Sequence, residues 1–317
     1  MKVLLIGTDE KAFDKNSPVR ERLKGYSKYV ESLTSLVLVK SSKNEVEEGN
    51  LKIIPVLNTG KISSFLKLLR IVKKYRGSDI ISTQDPAMLG LIGYLASKSI
   101  GAKLHVQIHT DIASSEYTKN IRGKIEWCVA RFVIKKTKKI RAVSLRIIEN
   151  IGIRMSVDRV AFSILPIYVN PLPLGYEIGG EIKDRLESFT ANHGIIILIL
   201  SRLESEKRIL ESVKIFASIS RGGHKMGLVI VGDGSQKNEI EKLVGSCDIQ
   251  NDVLFFDWTR TPSFFYERCD ILWNNSRFEG FGMTLVEACL SGTPIISSDV
   301  GIAKDVIIEG VNGFLYQ

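Results

Sequence analysis

Short apolar runs alternate along this chain with stretches whose apolar residues recur at helical spacing. Residues 3–6, 36–39, 53–56, 79–83 and 103–109 read as strands, with helices predicted over 19–33, 63–75 and 87–99. A second series begins at Ile195, with strands at 195–200, 228–231, 253–255, 271–273 and 294–297 and helices over 236–244 and 283–290. Such alternation predicts two α/β domains, each a doubly wound parallel sheet with helices on both faces. Between the series, Pro166, Pro171 and Pro173 interrupt any helix and stiffen the connection. The expected division is a first domain at 1–168, a linker region at 169–190 and a second domain at 191–317.

The turn from the strand at 271–273 into the next helix concentrates polar and glycine residues. It carries Glu279, Gly280, Phe281, Gly282, Met283 and Thr284, with Glu287 about one turn further on. A strand-to-helix turn leaves backbone N–H groups unpaired and aims the positive helix end outward, which suits a diphosphate. Glycine allows the phosphate to approach the main chain. Glu279 at the mouth is placed to accept hydrogen bonds from sugar hydroxyls, and Glu287 to reach the vicinal diol of a ribose. The same two residues also read as a loop acid and a helix-surface carboxylate. Upstream, the strand at 195–200 leads into Arg202 and Lys207, which bring positive charge to the carboxyl edge of a parallel sheet, where such folds bind ligands. Each cation alone reads equally as a solvated side chain. The strand at 228–231 ends in Gly232-Asp233-Gly234, a turn common to many doubly wound folds.

Glu279 and Glu287, separated by seven residues and followed by Ala-Cys-Leu-Ser-Gly-Thr-Pro, resemble the E-x7-E signature of retaining glycosyltransferases. The nearest likeness is to glycosyltransferase family 4, glycosyl transferases group 1. Residues 201–207 resemble its G-R-L-x-x-x-K segment, residues 231–235 its V-G-D-G-P segment, and residues 253–258 its N-V-x-F-x-G strand, with Asp257 in place of the glycine. His109 matches the histidine of V-T-x-H-G, although Thr110 replaces the glycine. Gln84 and Asp85 fall in a D-x-I-H-x-H-x-P-like segment and Ser144 in an A-V-S segment.

The resemblance implies a GT-B fold: two Rossmann-like domains facing a cleft, the second holding the nucleotide. It implies a retaining, metal-independent glycosyltransferase moving a sugar from a nucleoside diphosphate sugar to a glycan or lipid-linked acceptor in surface polysaccharide or glycolipid synthesis. No cofactor is expected beyond the donor substrate. On this reading His109, Glu279, Arg202 and Lys207 are catalytic. Arg202, Lys207, Gly232, Asp233, Gly234, Glu279, Gly280, Phe281, Gly282, Met283, Thr284 and Glu287 hold the donor, with Trp258 and Thr259 beside the base. Gln84, Asp85 and Ser144 line the acceptor side, and Asp85 reads equally as an Asp-Pro helix cap. A GT-B nucleotide-sugar epimerase and an inactive donor-binding homologue are the alternatives. Family chains continue past the segment matched by residues 311–317, so the second domain is expected to be truncated, with exposed apolar surface.

Composition narrows the partners. The 317 residues are 44% hydrophobic, with a mean hydropathy of +0.07. No apolar run approaches the roughly 20 residues needed to cross a bilayer. Cys128, Cys247, Cys269 and Cys289 lie far apart and read as buried thiols in a reducing cytosol rather than as metal ligands or disulfides. The net charge of +9 is densest over residues 119–146, where Lys and Arg interleave with Ile125, Trp127, Phe132 and Val133. That segment reads as a helix lying on an anionic membrane, at its cytoplasmic face, or equally as a helix packed on its own domain with solvated lysines. Aromatic residues do not recur among the cations as a stacking platform requires, so nucleic acid is not an expected partner.

Overall fold

The computed structural model describes residues 1–155, 162–169, 178–220, 222–223 and 225–317, the side chain of Lys61 excepted. The chain divides into two compact units, Met1–Pro166 and Ile167–Gln317. Residues 170–177 of the expected proline-rich linker lie outside the described residues.

In the first unit the strands are β1 (Lys2–Gly7), β2 (Ser32–Val39), β3 (Val46–Glu48), β4 (Leu51–Leu57), β5 (Ile80–Thr83), β6 (Lys103–Ile108), β7 (Lys139–Ala142) and β8 (Phe162–Ile164). They form one sheet in the order β3-β4-β2-β1-β5-β6-β7-β8, parallel throughout except for the β3–β4 pair. Its helices are α1 (Pro18–Ser27), α2 (Lys61–Val72), α3 (Met88–Ile100), α4 (Ile121–Lys136) and α5 (Leu145–Met155).

Two departures from the pattern have local causes. The helix expected over 19–33 stops at Ser27, because Asn50 Nδ2 donates to the carbonyls of Ser27 (2.6 Å) and Val30 (2.8 Å) and satisfies the chain as it leaves the helix. Leu33 then joins β2. The basic stretch 119–146 is not one helix. Thr137 Oγ1 bonds back to the Val133 carbonyl at 2.8 Å, and from Lys139 the side chains alternate, with Ile140 and Ala142 buried, as a strand requires. By contrast α3 runs almost as expected and ends at Gly101, whose φ of 78° is the left-handed C-terminal geometry glycine favours.

The second unit contains β9 (Ile195–Leu200), β10 (Met226–Val231), β11 (Val253–Phe256), β12 (Ile271–Asn274), β13 (Ile295–Ser298) and β14 (Gly313–Tyr316). All pair in parallel, in the order β11-β10-β9-β12-β13-β14. The helices are α6 (Gly180–Asn192), α7 (Ile209–Ser220), α8 (Lys237–Ser246), α9 (Ser263–Tyr266), α10 (Met283–Ser291) and α11 (Ala303–Val306). β9 is apolar at every position because both faces of the sheet are covered: Ile196 and Leu198 enter one core, Ile199 the other. Residues 180–190, read from sequence as linker, form most of α6. Leu186 is fully buried there, with Ile182 and Phe189 packed on the same core, so this helix is part of the second unit.

Strand order locates the functional edges. In each sheet the chain reverses direction of growth once, between β1 and β5 in the first unit and between β9 and β12 in the second. Ligands of open α/β sheets bind outside the carboxyl ends of the strands at such a reversal.

Candidate functional site

The loops leaving β9 and β12 meet at the second unit's reversal point. The loop after β9 is anchored by fully buried Leu203 and closes in a 3-10 turn, Ser205–Lys207. This directs Lys207 inward, where its Nζ pairs with Glu279 Oε1 from the loop after β12. Ser276 Oγ lies 2.9 Å from the same carboxylate oxygen and 2.7 Å from Asn274 Oδ1. Ser201, Lys207, Asn274, Asn275, Ser276 and Thr284 line one small pocket. Beside it α10 starts at Met283 after Gly282, which has a φ of 93° and supplies no side-chain cap. The helix thus begins with N–H groups that no capping side chain satisfies, and Thr284 in its first turn shares the pocket lining with Lys207.

The expected site residues separate into groups. Lys207, Glu279 and Thr284 are brought together. Arg202 is not: its side chain is 69% exposed and paired with Glu206 at 2.7 Å, outside the pocket lining. Sequence spacing alone could not distinguish the two cations, because the 3-10 turn lies between them. Glu287 lies on the inner side of α10, where its Oε2 accepts from Tyr266 Oη at 2.9 Å, and burial raises its pKa. Phe281 is buried. Trp258, after edge strand β11, is 57% exposed.

Gly232, Asp233 and Gly234 support the cation loop from behind. A Cβ at Gly232 would stand 1.9 Å from the Ser201 carbonyl oxygen, and one at Gly234 2.4 Å from that of Leu203. Leu203 N donates to Asp233 O at 2.9 Å, and Gln236 N to Leu203 O at 3.0 Å. Glu204, which the sequence did not single out, accepts from both Ser235 N and Ser235 Oγ and holds the two loops together. Gly301 braces the acidic loop in the same way. It has a φ of 55°, and a Cβ there would stand 2.4 Å from the Phe281 carbonyl oxygen. Gly301→Ala is therefore expected to lower stability by about 2 kcal/mol, read as a fall in the urea midpoint at unchanged m-value.

Ser276, Asn274 and Asn275 were legible only as the polar end of a strand. They are buried and interlinked: Asn274 Nδ2 donates to Ser297 Oγ, Asn275 Nδ2 to Ser212 Oγ, and Tyr316 Oη lies 2.9 Å from Asn275 Oδ1. This network fixes the floor under the lysine–glutamate pair.

In the first unit Gln84 and Asp85 follow β5, His109 follows β6 and Ser144 follows β7, three adjacent strands of the sheet. The Asp85 carboxylate accepts from Ala87 N (2.8 Å) and Leu89 N (3.2 Å), so it caps α3; burial pushes its pKa up to about 6. Gln84 lies against Gly7 at the end of β1, and Ser144 is buried. Gln107 Oε1 accepts from Arg141 Nη1 at 3.0 Å, which fixes the amide's orientation since guanidinium only donates. His109 Nε2, 3.2 Å from that oxygen, must then carry the proton, leaving Nδ1 as an acceptor. Burial, then the charges of Arg141 and Arg22, hold its pKa down at about 4, so the ring is neutral.

The cysteines differ from expectation. Cys269 is buried and burial pushes its pKa up to about 12, but Cys128 is exposed because α4 turns that side to solvent.

Two parallel α/β units, the second in the strand order of nucleotide-binding sheets, define a protein of the GT-B fold. Residues 182–317 match the family described as Glycosyl transferases group 1. The chain is 28% identical over 269 residues to an alpha-monoglucosyldiacylglycerol synthase of Streptococcus pneumoniae, a match covering 80% of this chain and 58% of the relative. It is 29% identical over 121 residues to a poly(glycerol-phosphate) alpha-glucosyltransferase of Bacillus subtilis, covering 38% of this chain and 18% of that one. The Anabaena HepE structure in complex with UDP and glucose superposes with a TM-score of 0.75 at 20% identity, over 100% of this chain and 86% of that chain, a likeness of fold.

Proposed function

We propose that the protein is a retaining glycosyltransferase that moves a sugar from a nucleoside diphosphate sugar to a glycan or lipid-linked acceptor, without a metal ion. The observation that carries this reading is the pairing of Lys207 with Glu279 beside the uncapped start of α10, at the reversal point of the second sheet. The chemical demand is to stabilise negative charge growing on the leaving diphosphate while the sugar becomes cation-like. Lys207 and the N–H groups of Gly282, Met283 and Thr284 supply that positive potential, and Glu279 orients the sugar hydroxyls and the lysine together. Glu287 receives the ribose diol. Neutral His109 offers an acceptor nitrogen to a sugar hydroxyl. The leaving phosphate takes the proton of the acceptor hydroxyl, so the new bond forms on the face the diphosphate leaves and configuration is retained.

The relatives support this assignment. Both relatives are named for an alpha-glucosyl product, which from an α-linked donor is retention, and for a diacylglycerol or poly(glycerol-phosphate) acceptor. Uridine diphosphate is the first nucleotide to test, given the ligand of the Anabaena structure. The site of action is the inner face of the cytoplasmic membrane, in surface polysaccharide or glycolipid synthesis. Thermal stabilisation and slow hydrolysis are measured across a panel of nucleoside diphosphate sugars. One donor is expected to stabilise the protein and turn over slowly to free sugar with retained anomeric configuration. Donor isomerisation without acceptor would replace transfer by epimerisation, and no stabilisation by any donor would defeat the assignment.

A further inference from the structure

One face of the first sheet carries a polar row where a parallel sheet ordinarily packs apolar side chains. His105, Gln107 and His109 alternate along and just beyond β6 with Val106 and Ile108, which are fully buried. In register beside them stand Ser82 of β5, opposite His105, and Arg141 of β7, opposite Gln107. The row is continuous: Ser82 Oγ lies 2.8 Å from His105 Nδ1 and accepts from Gln107 Nε2 at 3.0 Å, while the other end of the same amide meets Arg141 and His109. Gln107 itself is buried.

Only one member of this row has a fixed sense. A hydroxyl and a neutral imidazole each donate or accept, so neither Ser82 nor His109 decides which way the Gln107 amide points. A guanidinium can only donate, so the decision rests with Arg141. Arg141 is in turn held by the segment through which the chain leaves the first unit. Its Nε donates to the Leu165 carbonyl at 3.1 Å and its Nη2 to the Pro166 carbonyl at 3.3 Å, the last two residues of that unit. Leu165 N donates to Ala142 O at 3.0 Å, which lays this exit segment beside the end of β7. Leu165 and Pro166 are exposed. Two of the three acceptors that fix the guanidinium therefore belong to one short surface segment, and the third is the amide that faces His109.

We propose that Arg141 is a positioning residue that makes the bare Nδ1 of His109 depend on the course of the exit segment. While the Leu165 and Pro166 carbonyls hold the guanidinium, the Gln107 oxygen stays turned to His109 and the ring proton stays on Nε2. When the segment shifts, the guanidinium leaves and the amide is free to turn over. Its N–H then faces Nε2, and the ring gives up that proton to water and takes one at Nδ1. This rests on the acceptor role given to His109 in the proposed transfer, and supplies a control on it.

The tautomer is read without donor or acceptor, from long-range proton–nitrogen correlation spectra of the full chain carrying isotope-labelled histidine. At about pH 8, above the ordinary histidine range, the spectra report neutral rings, and His109→Gln identifies the signals of His109. The parent is expected to show the Nε2–H form, with the other below about a tenth, the bias of one hydrogen bond from a charged donor. Arg141→Met keeps the reach of the side chain and none of its donors, and is expected to raise the Nδ1–H form at least about threefold. Arg141→Lys keeps the charge but cannot serve three acceptors in one plane, and should fall between the two. Pro166→Gly frees the backbone of an exposed residue and is expected to shift the His109 signals in the same direction as Arg141→Met. A parent spectrum in Arg141→Met overturns the proposal. So does a parent spectrum in Pro166→Gly, because Arg141 would then act without the exit segment. Either result leaves glycosyl transfer standing, whereas absent donor turnover in a protein with the expected spectra removes the transfer and leaves the coupling.

Discussion

Replacing Lys207 by alanine is expected to lower kcat/KM for donor turnover about a thousandfold, the scale of losing a positioned charge from a developing anion. The same change is expected to destabilise the protein by about 3 kcal/mol, for a separate reason. The Lys207 and Glu279 side chains are only 12% and 16% exposed, so removing the lysine leaves a carboxylate with little water and no counter-charge. Loss of turnover in the single variant thus mixes two effects. Lys207→Met with Glu279→Gln separates them, because it removes both charges and keeps the volume. Chemical denaturation of this double variant should return close to the parent midpoint while turnover and nucleoside diphosphate binding stay lost. If the refolded double variant binds nucleotide as the parent does, the pair is a structural ion pair and the donor lies elsewhere. Arg202→Ala provides the comparison. Its side chain is exposed and its ion pair with Glu206 lies at the surface, so little change in stability is expected.

That contrast between two cations five residues apart illustrates what the sequence made legible. The alternation of apolar runs was enough to place the parallel sheets, because strands covered on both faces leave continuous hydrophobic segments such as β9. Glycine positions in loops were also legible. At Gly232 and Gly234, expected beside the donor, the Ser201–Leu203 backbone crosses with no room for a Cβ. Hidden from a linear reading were the contacts between distant segments. The Lys207 ammonium beside Glu279, the Glu204 clamp on Ser235 and the Arg141 guanidinium that orients the Gln107 amide each depend on which strands lie side by side. Short strands such as β7 were absorbed into a neighbouring helix, because four alternating residues beside a long basic helix carry little periodic signal.

Asp85→Asn and His109→Gln are expected to change stability by about 3 kcal/mol each, relieving pH dependences of opposite sign over nearly the same range. Burial raises the Asp85 carboxyl from its ordinary 3.8 to about 6, with Glu126 adding repulsion and the N–H groups of Ala87, Leu89 and Gly90 opposing the rise. Between those values the folded state holds the proton and the unfolded chain does not. Stability tied to Asp85 is therefore full in acid and is lost as pH rises through 6. Asparagine keeps the acceptor that caps α3 and cannot ionise, so Asp85→Asn should match the parent near pH 4 and exceed it above pH 6. For His109 the sign reverses. Burial and the Arg141 and Arg22 charges lower it from 6.5 to about 4, so on acidification the unfolded chain binds the proton first and stability falls from pH 6.5 toward 4. His109→Gln removes that loss and should gain on the parent only in that range. The two dependences nearly cancel in the parent between pH 4 and 6, which makes the single variants, unfolded in urea at several pH values, the informative measurement. A His109→Gln profile parallel to the parent's would mean that the imidazole takes up its second proton as readily folded as unfolded, so that burial does not hold it neutral. The bare Nδ1 assigned to it in the proposed transfer would then be lost to protonation as pH falls through the ordinary histidine range.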